Sequence, residues 1–314
     1  LTIASEDSFL QQLFPLLGTM PADVVLGPGD DCAALDIGGG RIWLLGIDQV
    51  VGERHYRQHG AQATPPELVG RKLLARNLSD IAAMGGEPRF ALVSIAMADT
   101  GDDQQWLLAF HRGLLELAQQ HNLVLIGGDL AQAPHDCVAS LTIIGEAVGN
   151  APICRHGAAV GDQLFLTGCC GDSFASGHHL HFQPRTPQGA WLARQQYASA
   201  MIDISDGLLL DARRLAAASA VQICLDVDAV PRRHAQVSRQ ALLADGEDYE
   251  LLFTVNAAAA SALLAAWPFA DVALSCIGHV DAGPAGVVIA SDGSILSAPG
   301  GFDHFRRIDS EVDL

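Results

Sequence analysis

Residues 67–88 read ELVGRKLLARNLSDIAAMGGEP. Pro65 and Pro66 stand at the entry of this stretch and Gly85 and Gly86 at its exit, so the spacing predicts one helix over 67–84. The helix carries the chain's only lysine, Lys72, followed by Arg76, Asn77 and Asp80. An acidic side chain near a helix C-terminus meets the negative end of the macrodipole, at a cost of roughly a few tenths of a kcal/mol. A salt bridge from Arg76, one turn earlier, would offset part of that. Local rules broken in this way are expected where a site is being built.

Outward from this helix the chain alternates. Residues 41–48 (RIWLLGID) read as a strand, 103–121 as a second helix, 123–126 as a buried strand running into Gly127, Gly128 and Asp129, and 141–148 as another strand. The stretch 149–161 holds Pro152, glycines and alanines without periodicity, which places a domain boundary near residue 150. Past it come strands at 163–167, 200–204, 221–225, 251–255 and 273–277, a polar irregular stretch at 171–187, and a helix at 207–218. A chain of 314 residues exceeds what one core usually organises. Two domains of mixed α/β (α+β) character, 1–150 and 151–314, are therefore expected.

Composition narrows the function. With 49% hydrophobic and 17% charged residues the chain reads as globular. No apolar run reaches the roughly 18 residues of a membrane span, and no basic segment followed by an apolar one opens it, so no membrane role is expected. Seven cysteines without a CxxC pair fit reduced thiols in a cytoplasm. A net charge of −18 argues against nucleic acid as a partner. An acidic protein binds polyphosphates through divalent cations, commonly magnesium. No GxxxxGK[ST] loop and no HRD-type loop is present, so any phosphoryl chemistry must be organised by metals.

The carboxylates fall at element ends. Asp30 and Asp31 follow Gly29, Asp48 closes the strand RIWLLGID, Asp129 closes VLIGGD, and Asp203 and Asp206 flank Ser205 in MIDISDG. Each has a plainer reading: Asp30 and Asp31 as turn residues, Asp206 as a helix N-cap. A multi-magnesium site accounts for all of them together, because Mg²⁺ keeps waters and phosphate oxygens and accepts scattered single aspartates. His178, His179 and His181 could bind a transition metal but read as a surface loop. Trp43, Trp106, Trp191 and Trp267 read as packing residues, and Tyr249 as a support behind the site.

In order and spacing, GDDCA (29–33), DQVVGERH (48–55), NLSDIAAMGGEP (77–88), IGGD (126–129), RHGAAVGD (155–162), DISDGL (203–208) and GEDYELLF (246–253) resemble the thiamine monophosphate kinases. These lie within the wider aminoimidazole ribonucleotide synthetase superfamily. The resemblance runs from about residue 5 to GFDHF at 301–305. It implies a two-domain aminoimidazole ribonucleotide synthetase-like fold, an amino-terminal sheet domain that dimerises with its copy, and a carboxy-terminal α/β domain completing the site. It further implies that Asp30, Asp48, Asp80, Asp129, Asp203 and Asp206 hold magnesium ions, that Gly128, Asp129, Arg155 and Ser205 touch ATP, and that His55, Glu247 and Phe302 lie near thiamine monophosphate. The acceptor phosphate is already anionic, so no general base is implied.

Two departures stand out. Gly46-Ile47-Asp48-Gln49 replaces the hydroxyl-rich Ser/Thr-Thr-Asp-Thr pattern of the resembled family, and Leu130 replaces the threonine after GGD. They leave one magnesium either to backbone ligands or to weak binding. Rival readings are another ATP-dependent member of the superfamily and a degenerate protein that binds MgATP without turnover. The absence of a reactive cysteine in a glycine-rich amino-terminal loop, and of one near the terminal VDL, disfavours the selenium and hydrogenase-maturation members.

Overall fold

The computed structural model describes residues 6–98, 103–149 and 151–297. Its first half comprises α1 (Glu6–Leu13), a 3₁₀ turn at Phe14–Leu17, β1 (Val24–Leu26), β2 (Ala33–Asp36), β3 (Ile42–Val51), α2 (Pro66–Ala83), β4 (Gly86–Met97), α3 (Asp103–Gln120), β5 (Val124–Gln132) and β6 (Val138–Ala147). The strands form one sheet in the order β1-β2-β3-β6-β4-β5, antiparallel except for the β4–β5 pair. The helix read from 67–84 forms as α2. It starts on proline and ends where the Met84 amide donates to the Asp80 carbonyl and the amide of Gly85, at φ +65°, donates to that of Ala82.

Residues 86–97, to which the sequence reading gave no element, are the longest strand at 12 residues and lie between β6 and β5. From Ala91 to Met97 every second residue is buried, the period-2 mark of a sheet with one covered face. That cover is α2, whose Leu73, Leu74, Leu78 and Ile81 pack with Leu44, Ala91, Val93, Leu141 and Ile143. Helix α3 crosses α2 at backbone distance. A Cβ on Gly70 would sit 2.0 Å from Phe110 O, and one on Gly113 would sit 1.9 Å from Glu67 O, so only glycine fits at either point.

The second half comprises β7 (Gln163–Thr167), α4 (His178–His181), α5 (Thr186–Gln195), β8 (Ala198–Asp203), α6 (Leu208–Ala218), β9 (Gln222–Leu225), α7 (Arg239–Ala244), β10 (Leu251–Val255), α8 (Ala257–Ala266), β11 (Leu274–Asp281) and β12 (Val287–Ala290). They build a second sheet, β12-β9-β11-β7-β10-β8, antiparallel except for β12–β9. One face packs Leu166, Ile202, Ile223, Leu252 and Ile277 against Leu208, Ala212 and Leu215 of α6. The other packs Phe165, Met201 and Phe253 against Leu192 of α5, Leu263 of α8 and the end of α2 at Ala82 and Ala83. Helix α2 therefore touches both sheets.

The stretch 171–187 is less irregular than its composition suggests. It contains α4 and the start of α5, and His179 on α4 is buried rather than part of a surface loop. Trp191 packs edge-on against Trp267 at 5.4 Å, a packing role as expected. All seven cysteines are free. Among the described residues no helix is long and apolar enough to cross a membrane.

Candidate active site

Three elements converge on one point. The last turn of α2 carries Asp80, β8 ends on Asp203, and the turn ahead of β2 carries Asp31. One carboxylate oxygen of each lies within 4.8 Å of the other two. Burial pushes the Asp80 and Asp203 carboxyls well above the usual range, and neighbouring charge adds to it, from Asp48 at Asp80 and from Asp31 at Asp203. Ser79 Oγ donates to Asp203 Oδ2 at 2.5 Å, and Arg155 Nη2 donates to Asp31 Oδ1 at 2.5 Å. The second Asp31 oxygen is buried without a hydrogen-bond partner. An unpaired buried acceptor costs about 1–3 kcal/mol, and mutual repulsion adds to that. A hard divalent cation with oxygen ligation would remove both penalties, so these residues fit magnesium.

The other aspartates take different places. Asp48 accepts two bonds from Arg76, at 3.0 Å from Nε and 3.2 Å from Nη2. Arg76 thus makes its ion pair with Asp48 and not with Asp80, because across to β3 both carboxylate oxygens meet its planar fork. Asp30 closes its own turn, accepting from the amides of Asp31 and Arg155 at 3.0 Å each. Burial and the Asp31 charge push its carboxyl up to about 6. Within the GDD turn the residue that meets Asp80 and Asp203 is therefore Asp31, while Asp30 groups with Cys154 and His156.

Asp206 does not cap α6. It pairs with Arg214 at 2.5 Å, while buried Asp211 ties down the Ser205 and Asp206 amides at 3.1 and 3.0 Å. The N-cap position falls to Gly207. Asp129 and Gly128 lie on β5, the outermost strand, and are exposed. A Cβ at Gly128 would sit 1.9 Å from Val93 O, a packing reason for glycine there. The departures noted in the sequence separate in the same way. A Cβ on Gly46 would stand 3.5 Å from Asp80 Oδ2, whereas Ile47 and Leu130 are exposed, at 69% and 60%.

Beside the carboxylates lies a second cluster that long-range pairing builds. Lys72 Nζ is buried and reaches His55 O at 2.6 Å, Glu247 Oε2 at 2.6 Å and His179 Nδ1 at 2.9 Å. It also lies 5.2 Å from the Phe174 ring centroid, and that ring stacks on His179 at 4.1 Å. Burial pushes Lys72 down to about 8 against the pull of Glu247. Burial pushes Glu247 up, yet Lys72, His179 and Arg76 together hold it at about 2. The two directions differ because Glu247 has three favourable neighbours and Lys72 only one carboxylate at contact. Both remain ionised at neutral pH. His55 and Glu247, read as substrate-facing, are thus buried and internally paired, and Phe302 lies outside the described residues. Tyr249 stacks on Phe182 at 4.1 Å with its hydroxyl buried and without a partner.

Sequence comparison matches residues 29–148 to the family model described as AIR synthase related protein, N-terminal domain, and 185–291 to its C-terminal domain. A thiamine-monophosphate kinase of Salmonella typhimurium is 33% identical, over 96% of this chain and 98% of its own. A structure of AaThiL complexed with AMPPCP and TMP superposes with a TM-score of 0.80 at 26% identity, covering 96% of this chain and 97% of that one. A thiamine-monophosphate kinase structure from Stenotrophomonas maltophilia gives 0.73 at 30% identity, with 94% and 99% covered.

Proposed function

The chain belongs to the thiamine-monophosphate kinase family, and from that premise we propose that it transfers the γ-phosphoryl group of ATP to thiamine monophosphate, giving thiamine diphosphate and ADP. The observation that carries this reading is the meeting of Asp31, Asp80 and Asp203 where the two sheets adjoin. Such a trio serves a ligand that brings cations with it, as ATP does.

Asp31, Asp80 and Asp203 would hold magnesium, with Asp48 and Asp30 beside them. Asp129 and Asp206, which stand apart from the trio, would reach it through the nucleotide's phosphates. When bound, the metal would neutralise the phosphate oxygens that approach one another in an in-line transfer. The chain's own groups do the rest. Arg155, fixed by Asp31 and by its backbone bond to Asp30, presents positive charge beside the trio. Ser205 is held by Asp211, and its carbonyl accepts from the Glu247 amide at 2.7 Å, which joins the nucleotide side to the acceptor side. The Lys72 cluster backs the acceptor region and fixes His55 and Glu247. No side chain need take a proton, because the attacking phosphate oxygen is already anionic.

The reading extends to a cytoplasmic homodimer. Support comes from β5, an edge strand exposed almost throughout, which displays Val124, Ile126 and Leu130 beside a groove of about 860 Å³ lined also by Leu107 and Leu108 of α3. A long apolar edge of this kind calls for a partner strand, and a second copy supplies one by symmetry. The test of function is ADP release with Mg²⁺ and ATP, comparing thiamine monophosphate, thiamine and no acceptor, with product followed by chromatography. Diphosphate from the monophosphate alone is the expected result. ATP binding without product would favour a degenerate protein, and ADP release with another acceptor a different activity.

A further inference from the structure

A second group of unlike ligands lies on the far side of the carboxy-terminal sheet. Along β9, Ile223 and Leu225 enter the core under α6, so Cys224 between them faces the opposite way. On β11, Ile277 and Val280 enter that core, and His279 stands directly across from Cys224. Asp281, two residues on, shares the face of His279. Near β8 and β10 this face is filled by Phe165, Met201 and Phe253, but the β9–β11 end carries Cys224, His279 and Asp281 instead.

The backbone here is shaped to bring them together. Strand β11 bulges against β7 between Cys276 and Gly278. A Cβ on Gly278 would lie 2.1 Å from Cys224 O, so glycine lets the two strands close at this point. Bulges of this kind re-aim the side chain that follows, which is His279.

We propose that Cys224, His279 and Asp281 form a metal site, separate from the carboxylate trio, for zinc or a similarly borderline-soft divalent ion. The three ligand atoms lie within 4.8 Å of one another, and His279 Nε2 is 3.4 Å from Asp281 Oδ2. Tetrahedral zinc, with bonds of about 2.0–2.3 Å, sets its ligand atoms about 3.3–3.8 Å apart. The histidine–aspartate pair already has that spacing, and the sulfur needs a shift of about 1 Å at most to join it. Sulfur and imidazole select against magnesium, whose oxygen-only preference suits the trio instead. His279 and Asp281 are about half exposed, which leaves an entry path and a fourth position for solvent. Between β9 and β8 lie β11, β7 and β10, so four strand spacings, about 19 Å, separate this site from Asp203. Binding would release the Cys224 proton to solvent as the sulfur–metal bond forms.

The test titrates the full chain, freed of metal by a chelator and supplied with excess Mg²⁺ to occupy the carboxylates, with Co²⁺ as the optical probe. One equivalent should produce a thiolate-to-cobalt charge-transfer band that Zn²⁺ abolishes. Cys224→Ser should lose the band, and His279→Ala should weaken Co²⁺ binding by at least about 100-fold, beyond the 10–100-fold typical of outer-shell losses. Cys154→Ser, which alters the cysteine beside Asp30, should leave the band intact. ATP consumption with the acceptor should persist in Cys224→Ser and His279→Ala, which also shows that they fold. No band with the unaltered chain, a band surviving Cys224→Ser, or its loss in Cys154→Ser would each overturn the assignment.

Discussion

Replacing Asp80 by asparagine should make the metal-free protein more stable and the enzyme far less active. At the 4.8 Å limit of the trio, two carboxylates repel by about 3.5 kcal/mol at an effective dielectric of about 20. Asp80 has Asp48, Asp203 and Asp31 around it, with Arg76 in opposition. Removing its charge while keeping its shape should therefore return about 3 kcal/mol in chelator at pH 8, or about 4–5 °C in Tm for a chain of 314 residues. The pH dependence has a definite sign. Asp80 and Asp203 hold their protons to higher pH when folded, and Asp211 titrates at about 7, so stability falls as pH rises above the unfolded carboxylate range. The lowered histidines His121, His178 and His179 stop contributing only about one unit above the unfolded value of about 6.5, and Lys72, pushed down to about 8, opposes the decline above about pH 7, so the carboxylate slope is read from the difference between the wild type and Asp80→Asn. Magnesium at 100 times its dissociation constant should add about 2.7 kcal/mol to the wild type and much less to Asp80→Asn. Turnover should drop by at least about 100-fold, as for loss of one transition-state charge partner. Scanning calorimetry across pH, with and without Mg²⁺, reads all of this. A destabilised Asp80→Asn in chelator, or one that magnesium stabilises as much as the wild type, would refute the reasoning.

Three other experiments probe the remainder. Lys72→Met leaves Glu247 buried without its closest cation and should cost about 3–5 kcal/mol in urea unfolding, and adding Glu247→Gln should recover about half; equal losses in the single and double variants would deny the coupling. Gly70→Ala drives a methyl into Phe110 O and should cost about 3 kcal/mol or more, with a loss below about 1 kcal/mol counting against the close α2–α3 crossing. Ile126→Arg with Leu130→Arg on β5 should yield a monomer by light scattering with unchanged circular dichroism, and a persistent dimer would move the interface elsewhere.

Much of the frame was legible because its signals are local. Proline and glycine bracket α2 to within a residue, β7 and β10 fall on the residues their apolar runs mark, and Asp80 and Asp203 stand at the element ends that bring them together. Strand β4 escaped notice because Pro88 and a bulge before Phe90 obscure its start, so the alternation from Ala91 to Met97 begins late. Asp30 and Asp31 could not be told apart, since a turn has no period to say which side chain faces inward. The Lys72–His179–Glu247 cluster joins positions 107 and 175 residues apart, and its histidine sits in a stretch whose polarity reads as surface. Nothing local encodes such a pairing.

The burial of Lys72 also gives the molecule a built-in gauge. A lysine-specific endoprotease has one target bond in this sequence, after residue 72, in the middle of a helix wedged against both sheets. It can cut only when α2 comes free, so the cleavage rate counts those openings. Amine-reactive dyes report the same event at the same side chain. A ligand that bridges the two sheets should lengthen the interval between openings, which allows occupancy to be followed without measuring catalysis.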